Sequence, residues 1–395
     1  MDSFQKLIIL GTAAKYDVCA STSTPNSKKF APSGLGRTTV HGVCHSFTPD
    51  GRCISLLKVL LTNYCQKDCA YCPNRKDRDI QRTSFSPEEL AKVFMEFYKR
   101  NYVEGLFLSS GIKKDTHTTM DELIKTIEIL RYKYQYNGYI HLKILPGAKD
   151  EHIETACKLA NRVSINCETP DETYLSKLSK LKSFEKDILS PMATIKKYLS
   201  KYNSSQSTQF IVGAAGERDF DILARVNNLY QNYGIKRAYF SAFTPIINTP
   251  LEKEKQTPLT RENRLYQSDF LLRLYGFKLE DLPFEKGFLP DNLDPKLAFA
   301  LKNLHLFPIE INKAPLRDLL KVPGIGPISG KRIIALRREF TITNPQMLKN
   351  LGVVLKRALP FLTFQGKCYG DIDSLACNKT EPIQLSWDFG EGDSE

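Results

Sequence analysis

Thr62-Asn63-Tyr64-Cys65-Gln66-Lys67-Asp68-Cys69-Ala70-Tyr71-Cys72 decides the reading of this chain. Its cysteines follow the pattern C-x3-C-x2-C, with an aromatic residue directly before the last. Three thiolates at this spacing suit one cubane [4Fe-4S] cluster. Such clusters normally take four cysteine ligands, so three leave one iron open to a substrate-like ligand. Tetrahedral zinc is the alternative, and it wants a fourth protein ligand at matching spacing. None lies near in the sequence. The apolar run Leu56-Leu57-Lys58-Val59-Leu60-Leu61 that leads into the loop reads as a buried strand.

Working outward, Ser86-Pro87-Glu88-Glu89 supplies an N-cap, a proline at the first helical position and acids for the helix dipole. The helix it opens runs to about Arg100. Further strands are expected at Gly105–Leu108, His141–Leu145, Val163–Asn166, Gln209–Val212 and Ala238–Ser241. Helices are expected at Met120–Tyr134, Asp150–Leu159 and Asp219–Tyr233. Six βα-like repeats imply an α/β fold, a parallel sheet with helices outside. Chemistry in such barrels sits at the C-terminal ends of the strands, where the cysteine loop falls.

The cysteine loop after the first strand resembles that of the radical S-adenosylmethionine (radical SAM) superfamily. That resemblance implies a partial (βα)6 barrel in which SAM binds the open iron held by Cys65, Cys69 and Cys72. One electron from the cluster then splits SAM into methionine and a 5′-deoxyadenosyl radical. Other positions carry over one by one. Ser109-Ser110-Gly111 resembles the Gly-Gly-Glu turn that contacts the SAM amino group, without its glutamate. Asn166 and Glu168 end the fourth strand, where polar groups reach the SAM carboxylate or ribose. The run Gln209 to Glu217, with Ile211, Gly213 and Glu217, resembles the adenine-binding segment. Tyr71 stands where the backbone meets adenine. Tyr64, Cys167 and Glu168 are the candidates for hydrogen or proton transfer near the barrel mouth.

The 395 residues suggest two or three domains. With 42% hydrophobic and 25% charged residues, the composition is that of a globular protein rather than a disordered one. No apolar run approaches the ~18 residues of a membrane span, and Leu7-Ile8-Ile9-Leu10 is too short for a secretion signal. A cytoplasmic location is expected. Ten cysteines there point to metal or redox chemistry rather than disulfides. Residues 1–54 read as a capping segment, mostly loop, and 55–285 as the barrel. Cys19, Cys44 and Cys53, with His41 and His45, raise the question of a second metal site. Their spacings match no compact ligand motif, so reduced thiols beside the barrel mouth are the simpler reading.

The second motif lies in residues 286–364, read as a small all-α domain. Pro315–Leu320 reads as a short amphipathic helix, Pro323-Gly324-Ile325-Gly326 as a tight turn, and Ile328–Arg338 as a second helix. This resembles the helix–hairpin–helix DNA-binding motif. The glycines let a phosphate approach the backbone, and Lys331 and Arg332 add charge in the first turns of that helix. A degenerate second hairpin is expected around Leu351-Gly352-Val353-Val354. The net charge of +12 concentrates here: Lys296–Lys367 holds 13 Lys or Arg against 3 Asp or Glu. A concentrated basic region is the electrostatic footprint of backbone binding. Residues 365–395 read as an acidic, disordered tail.

The strings Ala14-Lys15-Tyr16-Asp17, Cys44 to Lys58 and Phe307-Pro308-Ile309-Glu310-Ile311-Asn312 resemble a DNA modification/repair radical SAM family. Members are often encoded beside a uracil-DNA glycosylase-like protein. The resemblance implies a [4Fe-4S] cluster, SAM, DNA as substrate, that glycosylase-like partner, and an electron donor such as flavodoxin or ferredoxin. Two other readings stay open: radical SAM modification of RNA, and a non-catalytic Fe–S adaptor that recruits the partner to nucleic acid.

Overall fold

The computed structural model describes residues 1–14, 43–47 and 53–371. The chain divides into two compact units, one of residues 1–217 and 228–257, the other of residues 218–227 and 258 onward. The division falls at Thr257/Pro258, earlier in the chain than the expected 285. Among the described residues, no helix is long and apolar enough to cross a membrane.

In the first unit, β2 (Cys53–Leu60), β3 (Gly105–Ser109), β4 (Tyr139–Lys143), β5 (Arg162–Ser164), β6 (Ser205–Val212) and β7 (Ile235–Ala242) pair in sequence order. All five pairings are parallel. β1 (Val43–Phe47) adds one antiparallel strand at the β2 edge. The crossovers are the helices α2 (Pro87–Lys99), α3 (Thr116–Glu128), α4 (Asp150–Leu159), α5 (Glu172–Leu178), α6 (Ser190–Tyr202) and α7 (Asp219–Asn232), the last with its residues 219–227 belonging to the second unit. This is the curled parallel half-barrel expected. β3 is buried along its whole length, as a strand covered on both faces must be.

Ser86 caps α2 as its sequence requires, accepting from the Glu89 N–H at 3.1 Å, with Pro87 opening the helix. Glu89 does more than favour the helix dipole. Its carboxylate accepts from Lys6 Nζ at 2.6 Å and Ser3 Oγ at 2.7 Å. These contacts tie down α1 (Ser3–Ala13), a helix not anticipated in the capping segment. Asp2 caps it by accepting from the Gln5 N–H at 2.8 Å, and Leu10 is fully buried. Also unanticipated were α5, α6 and the intervening π-helical turn Phe184–Leu189. α6 nonetheless carries legible signals: Pro191 in its first turn and Met192 with Ile195 at helical spacing. β6 begins at Ser205, four residues before the expected Gln209. Its early inward positions are Ser205 and Ser207, polar residues that an apolar-run criterion passes over.

The second unit contains α8 (Leu259–Leu274), α9 (Pro295–Lys302), α10 (Leu316–Leu319), α11 (Pro327–Glu339) and α12 (Leu355–Ala358). It is not all-α. β8 (Ile309–Glu310) runs parallel to β9 (Leu362–Phe364), which pairs antiparallel with β10 (Lys367–Cys368). Glu310 fastens this sheet, accepting from Thr363 Oγ1 and the Gly366 N–H, each at 3.0 Å. The expected disordered tail therefore begins with a paired strand. Residues 372–395, with Cys377 and Trp387, lie outside the described residues. Ile311, Leu319, Val322, Ile325, Ile333, Leu348, Phe361 and Phe364 form the core of this unit.

Candidate active site

The cysteine loop leaves the C-terminal end of β2 and is held from several sides. The Gly111 N–H donates to the Thr62 carbonyl at 2.8 Å, and the Gln66 N–H to the Ile112 carbonyl at 2.9 Å. Across the barrel mouth, the Ala70 N–H donates to Leu178 at 2.7 Å. Asp68 accepts from Ser179 Oγ at 2.5 Å and from the Lys180 N–H at 3.0 Å. Burial works against its charge, but these hydrogen bonds outweigh it and hold the carboxyl below its ordinary range. Asn63 is 1% exposed and bridges to the returning chain through Gln81 and Thr83, both at 2.8 Å.

One guanidinium gathers the rest of the loop. Arg82 donates to the carbonyls of Asn63, Asn74 (2.8 Å), Arg75 (2.6 Å) and Arg78 (2.9 Å). Only a planar five-donor group can serve four carbonyls this way. Arg82→Met is expected to lower stability by ~2–4 kcal/mol, since it strips several partly buried carbonyls of their donor. It should also make a reconstituted cluster labile. Thermal unfolding together with iron retention after gel filtration checks this; a variant matching the parent in both would refute it.

Cys65, Cys69 and Cys72 line one cavity of about 420 Å³ at the C-terminal ends of the strands. Of the residues carried over from the resemblance, Tyr71, Ser109, Ser110, Gly111, Asn166, Glu168 and Ile211 line it too. Gly213 and Glu217 do not. Glu217 is fully buried and its carboxylate accepts from the N–H groups of Gly213 and, at 3.1 Å, of Ala215. It closes its own turn, in which Gly213 takes a left-handed φ of 91°. Cys167 is also misplaced by the sequence reading. It is fully buried, its thiol donating to the Thr169 carbonyl at 3.3 Å, while its neighbours Asn166 and Glu168 line the cavity. The period-two alternation of extended chain could have shown this. Tyr64 is exposed and lies outside the cavity lining.

Three lysines in the lining were not foreseen, Lys67 of the cysteine loop among them. Lys143, at the end of β4, donates to Asn166 Oδ1. Lys182 pairs with Glu168 at 3.3 Å, the two side chains only 7% and 5% exposed. Lys143 shares the inward face of β4 with His141, so its place was legible; Lys182, between α5 and the π-helical turn, gave no sequence signal. Burial pushes the Cys69 and Cys72 thiols up, and the cysteines, all in electrostatic reach of one another, add to it. Burial also pushes up Tyr71, with the Glu168 charge second.

These residues fit a cluster and a polar ligand. Thiols gathered on one cavity become thiolates when a metal centre takes them as ligands, which removes their mutual repulsion as anions. Ser110 Oγ and Glu168 Oε2 are buried on the cavity with no hydrogen-bond partner, which marks them as acceptors or donors for a bound group. Among the described residues, no three His, Cys, Asp or Glu are grouped to hold a single metal ion. A cubane asks for something else, one thiolate on each of three irons. Of the cysteines and histidines weighed for a second metal site, Cys44 lies on β1. Cys19 and His41 fall outside the described residues, as do the side chains of His45 and Cys53.

In the second unit, α10, the turn at Gly324 and α11 form a hairpin. Gly324 has φ 86°, and a Cβ there would meet the Val354 carbonyl at 2.6 Å. Gly330 lets the helices close up, since a Cβ would meet Leu316 Cδ1 at 2.9 Å. Pro323 and Ile325 face inward, and the Ile325 carbonyl accepts from the buried Lys296 Nζ at 2.5 Å. They shape the turn rather than present a surface. Lys331 and Arg332 are exposed, as is Arg317, whose side chain is 85% accessible. A 3-10 helix (Pro345–Leu351), Gly352 at φ 78° and α12 make the second, shorter helical pair.

A family model described as Radical SAM superfamily matches residues 59–229. No curated protein matches the chain. Among solved structures, the chain is similar to methylornithine synthase (PylB), at 16% identity and a TM-score of 0.45 over 54% of this chain and 60% of that one. It is similar to the FeFe-hydrogenase maturase HydG from Carboxydothermus hydrogenoformans, at 16% identity and a TM-score of 0.44 over 54% and 50%. A radical SAM methyltransferase from Sphaerobacter thermophilus gives 13% identity and a TM-score of 0.43 over 56% and 68%. The chain spans about half the length of the HydG proteins it matches. Residues 59–229 are thus a Radical SAM superfamily domain.

Proposed function

We propose that this chain is a radical SAM enzyme, with a [4Fe-4S] cluster and SAM as its cofactors, and that it modifies or repairs DNA. The hairpin around Gly324 carries the reading: its turn is fixed by buried contacts while Arg317, Lys331 and Arg332 stand exposed around it. Such a surface suits backbone phosphates, which position a protein without reading bases. In the barrel, Cys65, Cys69 and Cys72 would hold the cluster. Ser110, Gly111, Asn166 and Glu168 would receive the polar end of SAM, and Ile211 and Tyr71 its adenine. When bound, the pair supplies a 5′-deoxyadenosyl radical that abstracts a hydrogen atom. A base inside a duplex is out of reach, so the target nucleotide must leave the stack or lie in a single strand. The partners proposed are a uracil-DNA glycosylase-like protein and a flavodoxin or ferredoxin as electron donor. Free cysteines suit a reducing, cytoplasmic setting.

The test is anaerobic reconstitution followed by quantification of 5′-deoxyadenosine with and without duplex DNA, single-stranded DNA and RNA. Stimulation by DNA above RNA is the expected result. Stimulation by RNA alone would move the substrate to RNA. An intact, reducible cluster with no product from any of them would favour the adaptor reading. Reversing charge at Lys331 and Arg332 together, K331E/R332E, should weaken duplex binding ~10-fold or more at every sequence tested. It should also reduce the slope of log affinity against log salt by ~2, the loss of two phosphate contacts. Fluorescence anisotropy across a salt series measures both, and an unchanged slope would remove these residues from the interface.

A further inference from the structure

We propose that Lys182 is a positioning residue that tunes the reduction potential of the cluster through Cys69. The inference rests on the radical SAM reading of the cavity. Lys182 is carried by irregular chain, yet its ammonium is buried against Glu168 at 3.3 Å and lines the same cavity as Cys69, whose thiolate its charge favours. Its charge also reaches Cys72. A buried ion pair alone is poor evidence of function, because apolar replacement is often neutral for stability. Two further observations point to the cavity. Glu168 is a non-glycine residue held at φ 66° by hydrogen bonds on both sides, its N–H to Gln209 and its carbonyl from Ile211, each 2.9 Å. Such backbone strain collects at functional sites. In addition, Glu168 Oε2 stays unpartnered although buried, so the pair is not internally satisfied.

The physical consequence concerns one electron. Reduction of a bound cluster would take it from the 2+ to the 1+ state, with the electron supplied by a low-potential one-electron donor and no proton exchanged. A fixed ammonium beside a ligand sulfur stabilises the more negative state, and it does so strongly where water is excluded. Hydrogen bonds to the sulfurs and local charge are the levers by which proteins set such potentials. Lys182 therefore makes the cluster easier to reduce. Glu168 acts in opposition, by its own charge, while keeping the ammonium in place.

The full chain is reconstituted anaerobically as the parent, Lys182→Met, Lys182→Arg and Glu168→Gln, and each is titrated by EPR-monitored reduction without SAM. Lys182→Met should lower the reduction equilibrium ~10-fold or more, which is ~59 mV for a one-electron couple. Lys182→Arg, which keeps the charge, should stay within ~3-fold of the parent. Glu168→Gln should shift the potential upward, and it serves the test if Lys182→Met does not load a cluster. A loaded Lys182→Met with the parent potential, or a Glu168→Gln without an upward shift, would overturn the inference while leaving the cluster site intact. A parent chain that assembles no [4Fe-4S] cluster would instead overturn the reading on which it rests.

Discussion

Cys65→Ala will abolish reductive formation of 5′-deoxyadenosine, by more than ~100-fold, while leaving the fold intact. The size follows from a comparison: residues that merely orient a metal ligand are worth ~10–100-fold, so removal of a ligand must exceed that. The fold survives because the change deletes one sulfur from a half-buried side chain. The loop itself is held by other groups, the Arg82 guanidinium and the backbone bonds of Thr62 and Gln66. Iron and sulfide content, the EPR spectrum of the reduced protein and product yield should fall together, with the thermal transition of the cluster-free chain unchanged. Intact SAM cleavage in this variant would remove the cluster from Cys65, Cys69 and Cys72.

Gly111→Ala will have nearly as large an effect, for a reason of shape. A Cβ at this position would lie 2.1 Å from the Tyr64 carbonyl oxygen, 3.0 Å from its carbon and 3.3 Å from Cys65 Cβ. The first two are backbone atoms and cannot turn aside. The loop must lift away from residues 111–112, breaking the bonds from Gly111 to Thr62 and from Gln66 to Ile112. Overpacking of this kind costs ~1–3 kcal/mol or more. A displacement of ~1 Å at a reacting centre costs ~100-fold in rate. We expect a folded protein with a lowered thermal midpoint, poor iron retention and product reduced ~100-fold. Parent-like cluster loading and turnover would show that the loop tolerates the shift.

Gly111 shows how far sequence reasoning reached. Its position after the second barrel strand marked it for the site, and it does line the cavity. The resemblance implies contact with the SAM amino group; the structure adds another role, which is seating the cysteine loop. The barrel strands were legible where both faces are apolar, as in β3. They were shortened where the inner face is polar, as at Ser205 and Ser207 of β6. Asn166 and Glu168 line the cavity and Cys167 between them does not, because a strand-end position says nothing of direction until the alternation is followed. In the second unit the hairpin was legible from its glycines. The short sheet was not, since β8 pairs with β9 about fifty residues later in the chain.

What the sequence determined alone is the chemistry that depends on neighbours along the chain. Three thiolates within eight residues and a turn that requires glycine at positive φ are local properties, set by covalent spacing and backbone sterics. The tertiary structure alone decided which distant groups serve that chemistry. Arg82 gathers four carbonyls of the loop, Glu89 anchors α1, and Lys182 reaches Cys69 from more than a hundred residues away. A lysine or arginine looks the same in sequence whether it is solvated or buried. Its role is fixed by what the fold removes from water around it, and that depends on contacts no local pattern records.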